Sequence, residues 1–215
     1  EPNHADIWTL KGISQYKTGH AEDSVESLKQ ALELNPEIAD TWFYLGLAYN
    51  QLADYPGAVD AFTKNLDLNP SSAAAFYHRG IANLRQKKYR DAIPDFEKSL
   101  QLSPENSDAW YKLGVARIYL SRYEDALEAF SKSLDLQPDH AGSYYYTGLA
   151  HAKLGRLKES IDSFEQVLIL DSGCASAALQ QGLSYANLGR FSEALTAYDL
   201  ALNINPGYAD ALYHK

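Results

Sequence analysis

The chain has 215 residues, with 19 Lys and Arg against 28 Asp and Glu, for a net charge of −9. Hydrophobic residues make up 46% of it, enough for a folded core, yet no apolar run approaches the roughly 20 residues of a membrane span. The acidity speaks against nucleic acid or an anionic membrane surface as partner, because both need a basic footprint, and the single Cys174 excludes an internal disulfide framework and an all-cysteine metal site.

The chain is an array. Glycines stand at Gly12, Gly46, Gly80, Gly114, Gly148 and Gly182, each 34 residues from the last. Small residues hold the same spacing at Ser24, Ala58, Ala92, Ala126, Ser160 and Ala194, and large ones at Leu28, Phe62, Phe96, Phe130, Phe164 and Tyr198. Prolines close the units at Pro36, Pro70, Pro104, Pro138 and Pro206, with Ser172 the exception. Four ladders at one period divide the chain into repeats 5–38, 39–72, 73–106, 107–140, 141–174 and 175–208, with a partial seventh at 209–215.

In chain order, Glu1-Pro2 reads as the tail of an earlier repeat, since Pro2 precedes Ala5 as Pro36 precedes Ala39. Each repeat is expected to be two helices, most plainly the second. There Trp42, Leu45, Ala48, Tyr49 and Leu52 recur at helical spacing, and Asp54-Tyr55 interrupts them. Pro56 suits the first turn of a second helix, which carries Ala58, Val59, Phe62, Leu66 and Leu68 before Asn69-Pro70 stops it. Asp60 with Lys64, and Glu128 with Lys132, are spaced as acid-first helical ion pairs. Ala209 to Lys215 opens a seventh repeat and stops short of its glycine. Methionine is absent even at position 1 and neither end reads as a polar cap, so the chain is expected to be a segment of a longer repeat protein whose ends allow end-to-end self-association.

A glycine inside a helix costs about 1 kcal/mol relative to alanine. Six in register imply a compensating close crossing, with the second helix approaching at Gly114, Ala126 facing it, and Trp110, Leu113 and Phe130 filling the surroundings.

These residues resemble the tetratricopeptide repeat. Its pattern stands complete as Trp42, Leu45, Gly46, Tyr49, Ala58, Phe62 and Pro70, and again as Trp110, Leu113, Gly114, Ala126, Phe130 and Pro138, with Arg117 for the tyrosine. Lys11, Arg79, Thr147 and Gln181 replace the expected leucine and should weaken their repeats. The resemblance implies an all-α, right-handed superhelical solenoid of helix-turn-helix repeats, with the first helices lining a concave groove. It also implies protein or peptide partners, with no catalytic residues and no cofactor.

The side chains themselves agree on the last point. His4, His20, His78, His140, His151 and His214 form no metal-ligand spacing, and none neighbours Cys174 in a catalytic pattern. The helical glycines stand singly and form no phosphate cradle, and Cys174 reads as a tolerated turn residue.

On the family's geometry, the groove falls to Phe43, Tyr77, Tyr111 and Tyr145 at the fifth place of each repeat, and to Tyr44, His78, Lys112 and Tyr146 at the sixth. Leu47, Ile81, Val115 and Leu149 occupy the ninth place, and Arg85 and Tyr119 the thirteenth. Tyrosines beside aliphatics offer contact area, few rotamers to freeze and hydroxyls to bond a peptide. The same aromatics would also serve to pack adjacent repeats. His78, Arg85 and Lys112 are read as a basic spot for an acidic side chain, with an Arg85–Tyr111 cation–π contact as the alternative. Groove places hold Asp6, Asp40, Asp108 and Asp210 against Lys17, Arg85, Lys112 and Lys153, so the net acidity is assigned to the other faces.

Two special groove types are missing. The carboxylate clamp of chaperone-binding members would fall on Thr9, Ile13, Tyr44, Ala74 and His78, which do not supply it. The asparagine ladder of glycosyltransferase-associated arrays would fall on Leu10, Tyr44, His78, Lys112, Tyr146 and Gln180. The reading is therefore a non-catalytic interaction scaffold. Its rivals are a substrate-recruiting or regulatory array of a larger enzyme and a homotypic assembly module. One free cysteine fits a reducing cytoplasm, and equally a cysteine-poor extracytoplasmic setting.

Overall fold

A left-handed residue closes each helical hairpin, at Gly19, Ala53, Lys87, Ser121, Gly155 and Gly189, with φ of 85, 59, 60, 58, 73 and 75°. The amide of the next residue donates back to the carbonyl five residues earlier, as from Asp54 to Tyr49 and from Lys88 to Asn83, both 2.9 Å. This is the Schellman ending, in which one residue of positive φ reverses the chain and satisfies otherwise orphaned carbonyls. The residue that donates this bond is also the N-cap of the next helix, so the turns are as short as the motif allows.

A computed structural model of the protein describes residues 4–215, and the expected tail at Glu1-Pro2 lies outside them. The described residues are helical with no strand, and they fall into two compact units, Glu1–Glu105 and Asn106–Lys215. The first holds α1 (His4–Lys17), α2 (Ala21–Leu34), α3 (Ala39–Gln51), α4 (Tyr55–Leu68), α5 (Ala73–Arg85) and α6 (Tyr89–Leu102). The second holds α7 (Ser107–Tyr119), α8 (Tyr123–Leu136), α9 (Ala141–Lys153), α10 (Leu157–Leu170), α11 (Ala175–Asn187), α12 (Phe191–Ile204) and the short α13 (Ala209–His214). In each unit the helices pair as antiparallel hairpins, and each hairpin packs on the next to make an all-α helical repeat stack.

Local chemistry sets the boundaries. Asp54 caps α4 by accepting from the Gly57 amide at 3.1 Å, with Pro56 in the first turn. Ser72 and Asn106 do the same for α5 and α7. At the junction without proline, the Asp171 carboxylate accepts from the Gly173 amide at 3.0 Å, and this turn takes over the stop.

The glycine ladder makes room for one ring. A Cβ on Gly46, Gly80, Gly114 or Gly148 would lie 2.5–2.8 Å from the ring of Phe62, Phe96, Phe130 or Phe164, all fully buried. Gly182 meets Tyr198 in the same way, and Gly12 meets Leu28. At Gly114 the close neighbour is thus the Phe130 ring and not, as expected, Ala126. Flat rings seated on bare backbone give tight helix crossings, and their dispersion contacts offset the propensity cost.

Two other expectations need correction. Arg79 does not leave its repeat with a defect: it is bonded across the hairpin to Asp95, which is 4% exposed. Lys64 and Lys132 reach forward to Asp67 at 4.0 Å and Asp135 at 3.7 Å, and not back to Asp60 and Glu128. Since these pairs lie in solvent, either arrangement contributes under about 1 kcal/mol.

Candidate functional site

The faces presented by the first helices of each hairpin carry the expected binding residues. In the first unit, α1, α3 and α5 are neighbours. Phe43 leans edge-on against Phe62 of its own hairpin, with centroids 5.8 Å apart, and Tyr77 tilts against Phe96 at 6.2 Å. His78 lies flat on Phe62, the ring of the preceding hairpin, at 5.9 Å and 17°. Tyr44 meets Tyr16 edge-on at 5.9 Å. Leu47 packs on the Phe62 cluster, Ile81 is half-buried, and Arg85 is exposed at the end of α5.

The second unit repeats this scheme on α7 and α9. Tyr111 tilts against Phe130 and Tyr145 meets Phe164 edge-on, while Tyr146 stacks on Phe130 at 6.0 Å and 21°. His214 stacks on Tyr198 at 28° in the same relation. The fifth place therefore packs on the ring of its own repeat and the sixth on that of the repeat before. Phe43, Tyr44, Tyr77, His78, Tyr111, Tyr145 and Tyr146 stay half-buried, whereas His214 is exposed.

A tyrosine cluster stands out. Tyr146 lies 5.9 Å from Tyr111 and is hydrogen-bonded to Tyr119, which is 54% exposed. Burial raises the pKa of the Tyr145 hydroxyl, and Ser176 partly offsets the rise. Burial pushes the hydroxyl pKa of Tyr146 well above its usual value, with the Tyr111 and Tyr119 hydroxyls adding to the effect. Burial first, then Asp108 and Tyr119, raises that of Tyr111. These phenols are therefore protonated, able to donate as well as accept. Leu149 packs beside them on the Phe164 cluster.

The basic spot is weaker than the sequence suggests. Burial lowers the pKa of His78 from its usual value of 6.5, so its ring is neutral at pH 7. Lys112 is paired with Asp108 at 3.6 Å, and it is the cation over Tyr111, 4.7 Å from the ring centre. Val115, expected to line the groove, is only 7% exposed and belongs to the core.

One feature of the first unit is invisible to repeat-by-repeat reading. A cavity of about 530 Å³ opens over α3 between α2 and α4, on the stripe of Trp42, Leu45 and Tyr49. Among the described residues, no three His, Cys, Asp or Glu side chains are grouped to hold a metal ion, and no helix is long and apolar enough to cross a membrane.

Family models for the tetratricopeptide repeat match residues 9–73 and 111–173, and further models of that description match 73–106 and 175–208. The chain belongs to the tetratricopeptide repeat family. Its array is 28% identical to YrrB, described as a tetratricopeptide repeat protein with an unusual peptide-binding site. That match has a TM-score of 0.78 and covers 88% of this chain and 97% of that one. MamA from Desulfovibrio magneticus RS-1 is 26% identical, with a TM-score of 0.74 over 79% of this chain and 96% of its own. PilF of Pseudomonas aeruginosa, at 19% identity and a TM-score of 0.77 over 97% of this repeat array and 95% of its own chain, shows the shared fold alone. No curated protein sequence matches the chain.

Proposed function

We propose that the protein is a non-catalytic interaction scaffold that holds a peptide or partner segment on the faces of its first helices, and that the tyrosine cluster of the second unit is its principal contact. The observation that carries this reading is the set of Tyr111, Tyr119, Tyr145 and Tyr146. The rings of Tyr111, Tyr145 and Tyr146 are braced by Phe130 and Phe164, burial keeps their hydroxyls protonated, and Tyr119 stands exposed beside them. Rings held by packing lose little entropy on binding, and phenols beside apolar surface can bond a peptide backbone or side chain. Lys112, shared between Asp108 and the Tyr111 ring, can turn to an acidic residue of the partner at small cost, because its present pair is solvated. Tetratricopeptide repeats are interaction modules, and the peptide-binding site for which YrrB is described supports the same role here.

The test is comparative capture from the native lysate. The Tyr119→Ser, Lys112→Glu double variant alters the exposed end of the cluster and leaves Phe130 and Phe164 in place. It should retain the helical circular dichroism signal and recover about tenfold less of the partner than the unaltered chain. Equal recovery by both proteins would remove the cluster from recognition.

A further inference from the structure

The cavity over α3 is independent of the tyrosine faces. Trp42, Leu45 and Tyr49 form the stripe of α3 opposite Phe43, Tyr44 and Leu47. Leu45 and Ala61, 3% and 2% exposed, make its floor, while Leu32, Pro36, Trp42 and Tyr49 rise around them half-buried or exposed. The Trp42 indole N–H is already bonded to the Pro36 carbonyl at 2.8 Å, which fixes the ring and leaves its surface to an apolar ligand. α4 contributes Gly57 and Ala61 to the lining. The fifth repeat has Glu159 and Ser163 at those places, and Thr147 in place of Leu45.

The rim is acidic. Glu33 and Asp60 border the opening, and α2 and α4 together carry Glu22, Asp23, Glu26, Glu33, Asp60 and Asp67 against Lys29 and Lys64. Lys64 is already engaged with Asp67, and Glu33 accepts from Gln30 at 3.0 Å while keeping its charge exposed. Lys29 shows what the wall tolerates: its ammonium lies over the Tyr49 ring, 5.7 Å from the centre. An apolar floor, fixed aromatic walls and a lip where Glu33 and Asp60 outnumber Lys29 suit one chemistry, an apolar side chain flanked by cations.

We propose that this cavity docks a lysine- or arginine-bearing segment of another protein, whose apolar anchor enters between α2 and α4 while its cations meet Glu33 and Asp60. The site lies on the second-helix side of the repeats and needs none of the tyrosine cluster.

The probe is a synthetic amphipathic peptide of lysine and leucine. Its controls are the same peptide with glutamate for lysine, and oligolysine. The readout is the NMR signal of the three indole N–H groups, Trp8, Trp42 and Trp110. The lysine–leucine peptide should shift the Trp42 signal saturably and leave the other two in place, and neither control should do so. Glu33→Lys with Asp60→Lys, both on exposed side chains, should keep the helical signal and weaken binding about tenfold. Tyr119→Ser should leave binding unchanged, which separates this site from the tyrosine cluster. No shift at Trp42, equal shifts at all three indoles, equal binding of oligolysine, or full binding by the charge-reversed variant would each overturn the proposal.

Discussion

Arg79 on α5 and Asp95 on α6 form a bidentate ion pair across one hairpin, with Nη2 of the arginine 2.6 Å and Nε 3.1 Å from the carboxylate. The same guanidinium donates to Thr63 at 3.1 Å, and Asn83 donates to the other carboxylate oxygen at 3.2 Å. In the neighbouring repeats the pair is Leu45 with Ala61 and Leu113 with Ala129, so one apolar contact has been exchanged whole for a polar one. Removing one member leaves a buried charge without its partner, whereas removing both restores an apolar contact. Asp95→Ala should cost about 3 kcal/mol in urea unfolding, and Arg79→Leu with Asp95→Ala should recover most of it. Equal losses in the single and double variants would show that the pair is not coupled.

Gly114 sets helix propensity against packing. Alanine there gains about 1 kcal/mol of helix propensity. Its Cβ would lie 2.5 Å from the Phe130 ring, which is fully buried and cannot swing away. Overpacking costs about 1–3 kcal/mol and should win, so Gly114→Ala is expected to lower the melting temperature. A rise would mean that the two helices can move apart freely.

Three hairpin turns use a residue that resists their backbone. Ala53, Lys87 and Ser121 hold φ near 60°, where Gly19, Gly155 and Gly189 stand in the other turns. A left-handed residue other than glycine costs about 1–2 kcal/mol, partly offset by the extra freedom that glycine has in the unfolded chain. Lys87→Gly, on an exposed side chain, should therefore stabilise the protein by about 0.5–1 kcal/mol in thermal or urea unfolding.

His78 links stability to pH. Its folded pKa lies below its unfolded value of 6.5, so the unfolded chain takes up the proton first as pH falls. The contribution of the stacked neutral ring is complete above pH 6.5 and is lost below it. Unfolding free energy measured from pH 7.5 down to pH 5 should decline, and His78→Tyr, which installs the residue found at Tyr146, should flatten that decline. An unchanged slope would place the titration elsewhere.

The glycine and aromatic ladders were legible because they are local demands repeated: each hairpin needs a bare backbone at one place and a ring at another. Pro56, Asp54 and Asn69 marked their helix ends for the same reason, since caps act within a turn. The left-handed ladder was hidden because Ala53, Lys87 and Ser121 lack glycine's signature, and only the hairpin geometry imposes their φ. The state of the basic spot was not legible because charge and exposure are not properties of a residue type: burial lowers the pKa of His78, and Asp108 engages Lys112. Val115 looked like its neighbours at the ninth place but is covered.

The sequence by itself determined the 34-residue period, the helical hairpins and the family, because all three follow from short-range periodicity. Tertiary structure alone decided which aromatic edges face solvent, that Arg79 has a buried partner, and that a cavity opens between α2 and α4. Each of these depends on side chains brought together from different helices, and a pattern read one repeat at a time does not contain that information.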